Sequence, residues 1–321
     1  MAADPAPTAT RDTDLDALLR EVQRAARPAA ARGHVADYIP ALGELDPESF
    51  ALAAVEMDGT VHGVGDLDEP FPVQSISKVF ALTLAMQLVG QSGSVAERLW
   101  RRVGREPSGD PFNSLVQLER ERGIPRNPMI NSGALVVDDV LLSACEDPYA
   151  ALRGLLSEVV GEPVAVDETV RRDEARTGYR NRALANLMRS FDNIDHEIDA
   201  VLDLYVFQCS LQLTTRQLAR AVRFLANNGV DPATGTRILS PTLSRRVAAI
   251  MLTCGTYDAA GDFAYSVGLP CKSGVAGSIC SLVPHEMGLA AWSPPLEPSG
   301  NSAAGKAALH ELAERLELSI F

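Results

Sequence analysis

Gln74-Ser75-Ile76-Ser77-Lys78 places a hydroxyl and an amine three residues apart. On a helix that separation sets both side chains on one face, about one turn from each other, so the Lys78 amine can reach the Ser75 hydroxyl. A serine hydroxyl attacks an acyl carbon only once a neighbouring base takes its proton, and a lysine serves as that base only where burial or a second cation strips its own. Val79-Phe80-Ala81-Leu82 follows Lys78, an apolar setting in which a solvated lysine is out of place. Lysine is also rare: Lys78, Lys272 and Lys306 are the only three among 29 basic residues, and the rest are arginines that stay protonated. Where such a chain keeps a lysine, a titratable amine is the chemical reason to expect. Lys272 opens Lys272-Ser273-Gly274 ahead of a β-favouring run and supplies the second cation. Backbone N–H groups at Ser75 and at Val275 are then the natural oxyanion donors. Ser-x-x-Lys by itself is common, and a surface lysine near a helix start is its plain alternative.

The elements that must carry these residues divide by position. An amphipathic helix is expected over residues 15–31, then a hairpin of strands 50–55 and 61–64 around Asp58-Gly59. A largely buried helix over 77–89 carries Lys78. Further helices suit 134–144, 149–160, 182–189, 194–207, 215–227 and 241–252, separated by Gly, Pro and Asn. Strand character returns at 263–267, 275–283 and 288–292, before a closing helix over 303–316. Strands at both ends with helices between imply an α+β fold: an antiparallel sheet built from both chain ends, flanked by terminal helices, with a large all-helical insertion. The expected division is one catalytic domain of two subdomains, 1–75 plus 253–321 for the sheet and 76–252 for the helices.

With 42 acidic residues the 321-residue chain carries a net charge of −13, and no basic stripe offsets it, which argues against a nucleic-acid partner. Five scattered cysteines, an odd number without metal spacing, fit a reducing compartment. None of the five histidines sits in metal-ligand spacing. Residues 1–16 lack the layout of a secretory signal, and no apolar run approaches the ~18 residues of a membrane span. A cytoplasmic protein is expected.

Ser-x-x-Lys at a helix start, paired with Lys-Ser-Gly at a late strand, is the signature of the serine β-lactamases and penicillin-binding proteins. Between about Tyr38 and Gly305 the chain resembles one branch of that fold, the serine-dependent glutaminases. The resemblance rests on Asp37-Tyr38-Ile39-Pro40, Gln74-Ser75-Ile76-Ser77-Lys78-Val79-Phe80, Glu106-Pro107-Ser108-Gly109 and Asn127-Pro128-Met129-Ile130-Asn131-Ser132-Gly133-Ala134. It continues through Cys254-Gly255-Thr256-Tyr257-Asp258, Val267-Gly268-Leu269-Pro270, Lys272-Ser273-Gly274-Val275 and Trp292-Ser293-Pro294-Pro295-Leu296.

The resemblance implies hydrolysis of L-glutamine through a γ-glutamyl ester on Ser75, with Lys78 as base, Tyr38 and Tyr257 as further catalytic groups, and no metal or organic cofactor. It implies glutamine-binding roles for Gln74, Asn131, Glu174, Asn181, Tyr205 and the Val275 backbone, and a homodimer or homotetramer. The chemistry is coherent: an α-ammonium needs an acceptor such as Glu174, and an α-carboxylate needs donors such as Asn and Tyr. From composition alone, Glu174 reads as part of a solvated charge run, Arg171-Arg172-Asp173-Glu174-Ala175-Arg176. The chain departs from the family at Ser132, Asp173, Arg182 and Cys271. Arg182 beside Asn181 is expected to alter the Michaelis constant. A penicillin-interactive enzyme is the rival on the same scaffold, with Tyr179-Arg180-Asn181 imitating a Tyr-x-Asn element. A glutamine-sensing binder is the rival without chemistry, and it has no need of a nucleophile beside an amine.

Overall fold

The computed structural model describes residues 14–91 and 93–321. The expected absence of a signal concerns residues 1–16, of which 1–13 lie outside the described residues. The chain opens with α1 (Leu15–Ala26), β1 (Ala51–Glu56), β2 (Val61–Gly65), β3 (Phe71–Pro72) and α2 (Ser77–Gln91). A long helical stretch follows: α3 (Gly93–Arg102), α4 (Leu115–Arg120), α5 (Asn131–Ala144), α6 (Pro148–Val160), α7 (Glu168–Thr177), α8 (Tyr179–Ser190) and α9 (Ile198–Cys209). Then come β4 (Gln212–Leu213), α10 (Thr215–Ala221), α11 (Arg223–Ala226), α12 (Pro241–Cys254) and α13 (Ala260–Ser266). The chain closes with β5 (Cys271–Gly274), β6 (Ser278–Val283), β7 (Met287–Trp292) and α14 (Ala303–Leu316).

Five strands form one antiparallel sheet in the order β2-β1-β7-β6-β5, so both chain ends build it, as the α+β reading requires. β1 is buried from Ala51 to Val55. Its residues alternate between two cores: Leu52 and Ala54 face α1 and α14 with Leu19, Leu289 and Leu312, while Ala51, Ala53 and Val55 face the helical side. Period-two alternation with apolar residues on both faces is what a sheet covered on both sides needs. On the helical side α2 is buried nearly all round, with Val79, Phe80, Leu82, Ala85 and Met86 among α5, α6, α9 and α12. A helix apolar on every face belongs inside such a bundle. The short ribbon β3–β4 ties Phe71 to Leu213 at the base of the turn that carries Ser75.

Several expected elements are corrected. Residues 263–267, read as a strand, lie in α13 and its cap: Phe263 and Val267 are buried while Tyr265 is 93 % exposed, the four-residue repeat of a helix rather than alternation. The run 275–283 is not one strand. Ala276-Gly277 turns the chain between β5 and β6, and Gly277 holds φ +90° there, a conformation glycine adopts freely. The Lys272-Ser273-Gly274 triplet therefore lies inside β5. Pro28 ends α1 at Ala26, and a 3-10 turn over Arg27–Arg32 takes its place. The helix over 215–227 is broken at Val222 into α10 and α11. The helix expected from residue 194 starts at Ile198, and α3, α4 and α7 had not been expected.

Candidate active site

Ser75 sits in a one-turn 3-10 segment, Gln74–Ile76, immediately before α2. The Val73 N–H donates to Leu211 O at 2.8 Å, which anchors the chain just upstream. Gln74 then takes φ +48°, a left-handed backbone that L-residues adopt only where surrounding structure enforces it. The reversal sends the Gln74 and Ser75 side chains to different partners. Gln74 Nε2 donates to Glu174 Oε2 at 3.1 Å, while Ser75 Oγ lies 3.0 Å from Lys78 Nζ one turn along. Lys78 is 1 % exposed and its Nζ also donates to Asn131 Oδ1 at 2.7 Å; Asn131 Nδ2 passes the chain on to Asn181 Oδ1 at 2.9 Å. Asn131 opens α5 and Asn181 lies in the first turn of α8, so three helix starts converge on one hydroxyl.

Burial governs the protonation of this group. It lowers the Lys78 amine to about 8, even though Cys209, Glu174 and Asp138 all favour the cation. Burial likewise raises the Glu174 carboxyl to about 7, against the opposing pull of the Gln74 hydrogen bond and of Lys78. A neutral amine facing a hydroxyl is a base. A carboxyl poised near neutrality and only 6 % exposed is an acceptor waiting for a cation.

Lys272 is completely buried but does not reach Ser75. Its Nζ donates to Gly255 O at 2.9 Å and Ser273 O at 2.7 Å and lies 4.5 Å from the centre of the Tyr257 ring. Burial first and Lys78 second lower its amine far below the usual lysine range. Its contact with the site passes through Tyr257, whose hydroxyl donates to Ser273 O at 3.1 Å and whose ionised form the Ser75 hydroxyl favours against the larger effect of burial. Tyr257, like Gln74, has a left-handed backbone, φ +61°. Convergence of two amines on one serine is thus replaced by one amine on the serine and one beneath the tyrosine.

A cleft of about 370 Å³ opens above Ser75. Tyr38, Gln74, Asn131, Glu174, Asn181, Tyr205 and Val275 line it, with Lys78 below its floor. Tyr38 stands at the rim with 56 % of its surface exposed, while Tyr205 is 2 % exposed. Val275 occupies the first position of the β5–β6 turn. Gly274 before it approaches the Val73 carbonyl so closely that a Cβ there would stand 2.7 Å from the oxygen. A larger open cleft of about 780 Å³, between α1 and the Pro47–Ser49 loop, shares no residue with this one and holds no serine beside an amine.

Phe112 and Arg180 also belong to the cleft and had not been assigned a role. Phe112 packs against Tyr257 with ring centres 4.7 Å apart, and Arg180 Nε donates to the Asn113 carbonyl at 2.9 Å. Phe112 follows the Glu106-Pro107-Ser108-Gly109 stretch by three residues and Arg180 adjoins Asn181, so proximity to quoted motifs was the available signal. The four departures fall outside the reacting centre. Asp173 Oδ2 accepts the Ala41 N–H at 3.1 Å and ties α7 to the turn after Tyr38. Arg182 pairs with Asp199 at 2.6 Å and is half exposed. Ser132 is buried in the first turn of α5. Cys271 is buried in β5, its thiol pushed up to about 12 by burial. Among the described residues no group of three or more His, Cys, Asp or Glu is arranged to hold a metal, and no helix is long and apolar enough to cross a membrane.

Comparison with known proteins identifies the family. The family model "Glutaminase" matches residues 33–321. The glutaminase of Methylobacterium radiotolerans is 50 % identical over 311 residues, spanning 96 % of this chain and 99 % of its own length. That of Rhizobium johnstonii is 51 % identical over 312 residues, with the same coverage. Among solved structures, the probable glutaminase ybaS superposes with a TM-score of 0.85 at 36 % identity, covering 94 % of this chain and 98 % of its own. A probable glutaminase from Bacillus subtilis complexed with 6-diazo-5-oxo-L-norleucine superposes with a TM-score of 0.86 at 32 % identity, covering 96 % and 98 %. The architecture is the serine β-lactamase-like one, and the chain belongs to the glutaminase family of amidohydrolases.

Proposed function

We propose that the cleft hydrolyses L-glutamine to L-glutamate and ammonia through an ester on Ser75. Lys78 Nζ takes the hydroxyl proton as Oγ attacks the γ-carboxamide carbon. The resulting ammonium returns that proton to the leaving nitrogen as the C–N bond breaks. Water, deprotonated by the same amine, then cleaves the acyl-serine and restores both groups. The N–H groups of Ser75 and Val275 receive the oxyanion, each such donor being worth roughly a hundred- to thousand-fold in rate. Tyr257, between Ser75 and Lys272, supplies a second route for the proton, and Tyr38 closes the rim. Glu174 accepts the α-ammonium, while Asn131, Asn181 and Tyr205 address the α-carboxylate.

The observation that carries this reading is the 3.0 Å approach of a buried amine, lowered to about 8, to a hydroxyl in a cleft that a buried carboxyl also lines. The Bacillus subtilis glutaminase forms a covalent complex with 5-oxo-L-norleucine on reaction with 6-diazo-5-oxo-L-norleucine. That result supports the same electrophile as a probe here. Purified protein should release glutamate and ammonia from glutamine in equal amounts, and the diazo-ketone should add its mass less the dinitrogen it expels, a 5-oxo-norleucyl group, to the peptide containing Ser75. Equal turnover by Ser75→Ala, or label on another residue, would reject the ester. A cytoplasmic homo-oligomer belongs to the same proposal, the compartment resting on five free thiols.

A further inference from the structure

The stretch Trp292-Ser293-Pro294-Pro295-Leu296 has no part in the reaction as described. Trp292 ends β7 and is 2 % exposed. Its backbone pairs with Ala51 of β1 and Ser278 of β6, so the strand is held in the sheet without help from the indole. The indole itself reaches in two directions. Nε1 donates to the Ala276 carbonyl at 2.9 Å, and the ring stacks on Phe71 with centres 5.1 Å and planes 16° apart.

A buried indole N–H ordinarily finds some acceptor, so the first contact has meaning only through the carbonyl it selects. The Ala276 C=O and the Gly277 N–H share one peptide plane, and that N–H donates to the Gly274 carbonyl at 3.0 Å. The Gly274 C=O in turn shares its plane with the Val275 N–H, one of the two oxyanion donors. Two rigid peptide units therefore link the indole to Val275, and rotating either one rotates the Val275 N–H with it. The Ser293 N–H holds the far side of the same turn through the Gly277 carbonyl at 2.9 Å. The second contact leads to the other donor. Phe71 lies in β3, and beyond it Val73 donates its N–H to Leu211 O and accepts the Ile76 N–H at 3.1 Å, so Ser75 is bracketed by fixed backbone. One side chain thus bears on both donors, by a hydrogen bond on the Val275 turn and by stacking on the ribbon that carries Ser75.

We propose that Trp292 is a positioning residue: it sets the spacing of the Ser75 and Val275 N–H groups and so how well the cleft receives the oxyanion formed from the γ-carboxamide. The inference rests on reading those two N–H groups as the oxyanion donors. Such donors act where the oxygen of the tetrahedral intermediate sits, so a small displacement weakens the transition state more than the bound, planar amide.

The test compares wild type, Trp292→Phe and Phe71→Leu by kcat and KM for glutamine, by inhibition with L-glutamate, and by inhibition with the glutamine analogue in which a boronic acid replaces the carboxamide. Boron bonds to Ser75 Oγ as the hydroxyl proton passes to Lys78, giving a tetrahedral adduct with a B–OH where the oxyanion would sit; glutamate is planar at that carbon. Trp292→Phe keeps a ring against Phe71 and deletes the donor to Ala276. Phe71→Leu keeps the donor and deletes the stacking, and it carries the test if the first variant does not fold. In a folded variant kcat should fall about tenfold and the boronate should bind about tenfold less tightly, while KM and glutamate inhibition stay within about twofold. Wild-type kcat and boronate affinity in the folded variant, or equal losses of boronate and glutamate binding, would overturn the role of Trp292. A wild-type protein that binds the boronate no more tightly than glutamate would instead reject the two oxyanion donors themselves, and the role of Trp292 with them.

Discussion

At the scale of single residues the site is an arrangement of groups held away from their ordinary charge. The proposed mechanism needs Lys78 neutral and Glu174 ionised, and burial moves the first to about 8 and the second to about 7. Both requirements favour higher pH. In free enzyme, kcat/KM should therefore climb steeply below pH about 7, less steeply between 7 and 8, and level off above 8. Once glutamine is bound, its α-ammonium holds Glu174 ionised, so kcat should retain the Lys78 limb alone. Initial rates at limiting and saturating glutamine distinguish the two profiles, and identical profiles would count against Glu174 as the ammonium acceptor. Glu174→Gln should raise KM about 10- to 100-fold, the worth of a hydrogen bond to a charged group, while removing the lower limb from kcat/KM. Tyr257→Phe leaves the Phe112 stacking in place but removes the hydroxyl between Ser75 and Ser273 O. Its loss should appear in kcat, about 10- to 1000-fold, with little change in KM.

Elements act on the site mainly by where they start and how closely they approach. The Ser75 turn and β5 touch through Gly274, where a Cβ would meet the Val73 carbonyl at 2.7 Å. Gly274→Ala should force β5 and its Val275 N–H away from Ser75, cutting kcat by at least about tenfold through a misplaced oxyanion donor while the fold survives. Unchanged kcat in a folded variant would mean that the strand has room to shift without cost. Much of this arrangement was legible in the sequence because it is local: Ser75 and Lys78 share one turn, and the apolar run after Lys78 announces a buried helix. The sheet was legible from its two ends, although its β5–β6 hairpin was not, since Val275 was read into the same β-favouring run as the β6 residues and only Gly277 marks the turn. Phe263 and Val267 misled for a related reason: in so short a segment, aromatic and β-branched residues suit a strand as well as one turn of helix. Glu174 was hidden by its own neighbours. Charged residues on the outer face of α7 mask the one charged position, 6 % exposed, that the helix turns inward beside Val170. Lys272 was legible as an unusual amine, but its partners, two carbonyls and an aromatic ring, are fixed by tertiary contacts no spacing encodes.

For the molecule as a whole these displaced groups are a source of instability that depends on pH, and its sign follows from the direction of each shift. The Glu174 carboxyl is raised from 4.5 to about 7, so between those values the folded chain holds more protons than the unfolded one, and stability falls as pH rises through the window. Lys78 is lowered from 10.5 to about 8, so the unfolded chain holds more protons between those values, and stability rises with pH there. The two penalties coexist in full between about 7 and 8, the interval between the two displaced values. Glu174→Gln removes one of them and keeps an oxygen to accept the Gln74 N–H. At pH 7.5 the variant should be more stable by about 3 kcal/mol, from a shift of about two and a half pKa units. In a chain of this size that amounts to about 4–9 °C in Tm. The gain should shrink as pH falls and vanish below about 4.5, where the wild-type carboxyl is protonated in both states. Thermal melts of the two proteins at pH 4.5, 6 and 7.5 give the slope directly. A gain equal at all three values would point to improved packing, and no gain would mean that hydrogen bonds already compensate the buried charge. A rising gain paired with the loss of glutamine affinity would place the cost of the binding charge in the fold itself.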